Sequence, residues 1–147
     1  MLDFLKGLFA LNSSLLGKVR AVTAYDEALA LHGNKEFKKA LPLMTEAAEL
    51  GHPDAMAVLG SMYLLGQGDK EDGAKATLWL DKAVAAGHIG ADSILGMAYA
   101  TGKAGVTIDL LKARRLLTAA AARGDLQSSR MLEMMDRGEG MFRTVRR

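Results

Sequence analysis

Cysteine is absent from this 147-residue chain. That excludes a disulfide framework, a thiolate metal site and a cysteine nucleophile, and it fits a reducing compartment such as the cytoplasm. Proline is nearly absent too, with two residues against sixteen glycines, a balance that suits helices with glycine at their turns. No run approaches the ~20 apolar residues of a transmembrane helix. The formal net charge of +2 is too small to argue for nucleic acid. Its distribution is uneven: residues 1–102 carry 9 basic and 12 acidic side chains, residues 103–147 carry 10 and 5. An acidic partner or head-to-tail self-association would suit such ends. Catalytic constellations are missing as well. His32, His52 and His88 form no His-x-x-x-His pair and no carboxylate cluster with metal-ligand spacing. Serines lack a nearby base or nucleophile elbow. Gly66-Gln67-Gly68 is too short for a phosphate cradle and is closed by no Lys-Ser or Lys-Thr. An enzyme is not expected, nor a cofactor.

What is present is repetition. Gly51-His52 recurs at Gly87-His88, and Leu59-Gly60-Ser61-Met62-Tyr63 recurs as Leu95-Gly96-Met97-Ala98-Tyr99, 36 residues on. The register then slips by one residue, with Asp72 answering Asp109, Ala76 Ala113, and Gly87 Gly124. A period in the thirties means stacked supersecondary units. Each unit reads as two helices. Ala55, Leu59, Met62 and Tyr63 form one apolar stripe, and Ala76, Trp79, Leu80, Ala83 and Val84 another. Gly66 and Gly102 stand where a first helix needs a left-handed terminator. Asp72 and Asp109 stand where the second helix needs an N-cap. Gly60 and Gly96 lie mid-helix at a cost of about 1 kcal/mol against alanine, which implies helices too close for a methyl group. Trp79, Tyr63 and Tyr99 are expected to fill the space between layers.

The order Ala, Leu-Gly-x-x-Tyr-x-x-Gly-x-Gly, Asp, Ala, Trp, Ala and closing Gly resembles the Sel-one-like repeat (SLR), a relative of the tetratricopeptide repeat with a longer inter-helix loop. The first copy matches at Ala55, Leu59, Gly60, Tyr63, Gly66, Gly68, Asp72, Ala76, Trp79, Ala83 and Gly87. The second matches at Ala91, Leu95, Gly96, Tyr99, Gly102, Gly105, Val106, Asp109, Ala113, Ala120 and Gly124. Gly33-Asn34-Lys35-Glu36-Phe37-Lys38-Lys39-Ala40 upstream looks more like a plain tetratricopeptide turn. The resemblance implies an all-α, right-handed α-solenoid whose concave face, built from the first helices, holds other proteins. One domain, 1–147, is expected. Residues 1–17 form an N-terminal capping or anchoring helix and 19–51 a tetratricopeptide-like pair. The two Sel-one-like repeats occupy 55–87 and 91–124, followed by a C-terminal capping helix at 127–138 and a loose basic tail at 139–147.

Helix geometry puts Tyr25, Leu29 and His32, then Ala57, Ser61, Leu64 and Leu65, then Ser93, Met97, Ala100 and Thr101 on the partner-binding face. The leading functional expectation is a small protein-binding scaffold or adaptor. The alternative is a bacterial immunity protein that neutralises a cognate toxin or effector enzyme. Residues 1–11 are apolar apart from Asp3 and Lys6, and Asn12-Ser13-Ser14 interrupts them. They are expected to cap the first layer; a membrane-surface anchor, a self-association helix and a secretory signal are the other readings.

Overall fold

The computed structural model describes residues 1–140 and 142. Among them, seven helices follow one another with no strand: α1 Leu2–Gly33, α2 Phe37–Glu49, α3 Pro53–Leu65, α4 Gly73–Ala85, α5 Ala91–Thr101, α6 Leu110–Ala122 and α7 Leu126–Arg137. They pack as antiparallel pairs, α1 with α2, α3 with α4 and α5 with α6, each pair leaning on the next, and α7 closes the row. This is an α-solenoid. None of these helices is long and apolar enough to cross a membrane.

Local signals act as their chemistry requires. Gly66 and Gly102 end α3 and α5 at φ +64° and +70°, a region that costs other residues strain. The Asp72 and Asp109 carboxylates each accept the backbone N–H three residues on, at 2.9 Å, and so satisfy a free helix-start donor. His52 caps α3 with its ring, accepting from the Ala55 amide. Pro42 lies inside α2, where it removes one helical hydrogen bond. The α1–α2 turn falls later than Gly33: the helix includes Gly33, and Lys35 takes the left-handed conformation at φ +63°.

Close approach is real at both mid-helix glycines. A Cβ on Gly60 would stand 2.6 Å from Leu80 Cγ, and one on Gly96 2.9 Å from Leu117 Cγ. The main core joins Met44, Leu59, Met62 and Leu80 with rows of alanine. Tyr63 is buried as expected, whereas Trp79 and Tyr99 are only partly buried against this core. The Lys82 ammonium lies 4.3 Å from the centre of the Trp79 ring. Trp79 is therefore a lid at the core's edge, not its centre.

Both ends of the chain depart from expectation. No break occurs at Asn12-Ser13-Ser14; α1 is one helix of 32 residues, ~48 Å long. Residues 1–16 are all exposed, so they do not cap the first layer. The reason is length: α2, at 13 residues, reaches back only as far as Arg20, whose guanidinium grips Glu46 at 2.6 and 2.8 Å. The basic tail at 139–147 lies outside the described residues except for Glu139, Gly140 and Phe142. Phe142 is buried against Ala100, Ala113 and Leu117 and plugs the last layer.

Candidate functional site

α3 touches α5 and α5 touches α7 more closely than α2, α4 and α6 touch one another, and the Tyr25–His52 stack and the His32–Gln67 contact join the first layer to the second. The first helices therefore sit closer together and form the inner side of the solenoid. The candidate site is the surface of this inner row.

The eleven residues expected on that surface divide into two groups. Ala57, Leu64, Ser93 and Ala100 are buried and cannot meet a partner. Ala57 and Leu64 belong to the main core, and Ala100 lies under Phe142. Ser93 is covered by the next first helix: its hydroxyl donates to Asp125 Oδ2 at 2.7 Å and lies 2.9 Å from the Ser128 hydroxyl oxygen. Packing against neighbouring helices covers the first three, and Phe142 covers Ala100. Tyr25, Leu29, His32, Ser61, Leu65, Met97 and Thr101 keep some exposure, with Leu29 and Leu65 the most open.

Most of the polar groups in this second group are already engaged. Tyr25 stacks on His52 with ring centres 4.3 Å apart. Partial burial, with Asp54 and Asp26 nearby, raises its phenol above the ordinary value. His32 Nε2 lies 2.9 Å from Gln67 Oε1, linking the first and second layers, and its ring meets Phe37 edge-on. The Ser61 and Thr101 hydroxyls donate to carbonyls of their own helices, Ala57 and Met97. What the row offers outward is thus mainly apolar: Leu29 and Leu65 are exposed, and Met97 is partly buried against the last core cluster.

Two features of the surroundings were not legible in the residues alone. The first is a cleft of ≈ 730 Å³ flanking the His32–Gln67 contact, between the α1–α2 turn and the α3–α4 loop. Lys35, Phe37, Lys38, Gly68, Asp69 and Lys70 are among the residues that line it. Gly68 is required there, since a Cβ would meet the Phe37 carbonyl oxygen at 2.6 Å. The second is the junction of α5 and α7. Asp92 is buried and paired with Arg123. Asp125 caps α7, and the Ser128 hydroxyl, the Ser93 hydroxyl and the Ser128 amide together hold its carboxyl below the usual range. Elsewhere, Lys112 donates to the Tyr99 hydroxyl at 2.8 Å, which, with Asp81 nearby, raises its ammonium above the ordinary value. Among the described residues no group of three His, Asp or Glu could hold a metal ion.

Known proteins agree with this architecture. A structure of a Sel1 repeat protein from Oxalobacter formigenes superposes with a TM-score of 0.66 at 28% identity, covering 87% of this chain and 98% of that one. Cysteine-rich protein B of Helicobacter pylori shares the fold with a TM-score of 0.61 at 23% identity, over 83% of this chain and 91% of its own. A protective antigen of uropathogenic Escherichia coli with an SLR fold gives 0.53 at 26% identity, over 80% and 34%. In sequence, 62 residues are 47% identical to an uncharacterized protein of Neisseria meningitidis serogroup B; the match spans 40% of this chain but only 13% of that relative's length. A family model described as Sel1 repeat matches residues 26–52, 53–88 and 91–125, so the upstream unit is read as a repeat of the same kind. Such repeats are in general protein-interaction modules rather than catalytic units. The chain belongs to the Sel1 repeat family.

Proposed function

We propose that this protein is a small non-catalytic scaffold that holds a segment of another protein along the inner row of first helices. The observation that carries this reading is the apolar row itself. Leu29 and Leu65 stand exposed on the first two layers and Met97 partly buried on the third, and the hydroxyls between them are satisfied within their own helices. A surface with that pattern suits the apolar face of a helix or an extended peptide better than an acidic tail. Met97 adds an adaptable thioether to the contact. The cytoplasm is the compartment that fits a chain without cysteine.

The test is titration of variants against the co-purified partner. Leu65→Glu with Met97→Glu should weaken binding at least tenfold, about 1.4 kcal/mol or more, because a carboxylate there is costly to bury. Leu111→Glu, on the exposed face of the outer helix α6, should leave binding unchanged. Loss of binding in Leu111→Glu with the inner pair unaffected would move the site to the outer face. The immunity reading shares the inner surface and differs in outcome, since the bound partner would be one enzyme whose activity the complex abolishes.

A further inference from the structure

The exposed half of α1 carries a second surface, independent of the inner row. Leu5, Leu8, Phe9, Leu11, Leu15 and Leu16 are each more than half exposed. Nothing lies within 4 Å of a Cβ built on Gly7 or Gly17. A lone helix of this length is marginal in water, and two glycines weaken it further. It therefore needs a neighbour, and its pattern says which kind.

Leu5, Leu8, Asn12, Leu15, Val19 and Val22 follow one another at alternating steps of three and four residues, and all are exposed. That is the period of 3.5 that defines a coiled-coil seam. Leu5, Asn12 and Val19 take the a positions, and Leu8, Leu15 and Val22 the d positions. One asparagine at an a position costs stability but sets register and favours two parallel strands. In a stripe facing lipid it would bring only a cost. Attraction to anionic lipid is also modest here: Asp3 offsets Lys6 and Arg20 is held by Glu46, which leaves Lys18 as the main basic side chain of this segment. Asp26, the next a position, ends the seam. Ala21, Ala24 and Ala28, buried in the core packing of the first layer, lie on the opposite side of α1. The seam thus points away from the solenoid body, and two bodies would not collide. Leu2, Phe4, Phe9, Leu11 and Leu16 flank the seam and widen it. With roughly 60–100 Å² removed from water per large apolar side chain, the contact comes close to the ~800 Å² per partner of stable interfaces.

We propose that two copies of this chain pair through residues 1–22 of α1 as a parallel, in-register coiled coil, with Asn12 facing its equivalent across the two-fold axis. Sedimentation equilibrium of the full chain at micromolar concentration should give a dimer. Leu8→Glu with Leu15→Glu should weaken the dimer by about 100-fold or more while circular dichroism still shows a folded solenoid. Because the chain has no cysteine of its own, single substitutions report geometry even if the glutamates disturb folding. Under mild oxidation Asn12→Cys should give a disulfide-linked dimer, and Ser14→Cys, on the solenoid side of the helix, should not. A wild-type monomer, or equal cross-linking at both positions, would overturn the proposal. So would a monomer that floats with phosphatidylglycerol vesicles, since the surface would then be a lipid anchor.

Discussion

Adding one methyl group at Gly60 tests whether the layers are as closely packed as they appear. A Cβ there would lie 2.6 Å from Leu80 Cγ and 3.1 Å from both Leu80 Cδ2 and the Ala76 carbonyl oxygen. Ordinary carbon contacts sit near 3.5–4.0 Å, so roughly 1 Å must be found. Leu80 is wholly buried and the Ala76 oxygen is backbone, so neither yields freely. Overpacking of this kind costs about 1–3 kcal/mol, and the upper end applies here. Alanine returns about 1 kcal/mol through helix propensity. Gly60→Ala should therefore lose about 2 kcal/mol net, or roughly 4–8 °C in Tm for a domain of this size. Gly17→Ala is the control, since nothing stands within 4 Å of its Cβ. Leu80→Ala alone should cost about 2–5 kcal/mol, and the double variant should cost at least ~1 kcal/mol less than the sum. Thermal and denaturant unfolding measure all four. A Gly60→Ala protein as stable as wild type, or strict additivity with Leu80→Ala, would refute the close-packing argument.

The α5–α7 junction supports two further predictions. Arg123→Met leaves the buried Asp92 carboxylate unpaired and should cost about 2 kcal/mol, below the usual 3–5 because Arg123 is half exposed; adding Asp92→Asn should restore much of that loss, and a double variant no better than the single would count against a charge effect. Hydrogen bonds from Ser128 and Ser93 depress the Asp125 carboxyl, so the folded state binds fewer protons than the unfolded one, where the group titrates near about 4. Its contribution is complete above that pH and is lost as pH falls through the lower folded value; Asp125→Asn should therefore show a shallower decline of Tm with acidification than wild type, and equal slopes would reject the assignment.

Reading the chain from sequence succeeds where a single residue type has one physical use. Gly66 and Gly102 had to end helices, Asp72 and Asp109 had to cap them, and Gly60 and Gly96 had to face another helix; the structure places all six accordingly. It fails where the outcome depends on how one unit meets the next. Ala57, Leu64, Ser93 and Ala100 point off their own helices, and only the packing of neighbouring helices and of Phe142 decides that they are covered. The exposed end of α1 was obscured by Asn12-Ser13-Ser14. Those residues look like a break in an apolar run of eleven, yet Asn12 falls within the row from Leu5 to Val22 and the two serines fall beside it on one long helix. Phe142 gave no signal at all, being a single aromatic residue in a stretch dominated by glycine and arginine.

Gly73, at the start of α4, lies where the loop after α5 folds back: a Cβ there would meet the Ala104 oxygen at 2.7 Å and the Val106 nitrogen at 2.9 Å. The corresponding residue one unit later is Leu110, which packs instead beside Phe142 and Leu117. Phe142 follows Val106 by 36 residues, so the loop after α7 already folds back over the start of α6, with a larger side chain there than Gly73 supplies one unit earlier. Grafting a further helix after this loop would therefore continue a packing arrangement that the loop after α7 has already begun, and Leu110→Gly would test how much room that loop needs.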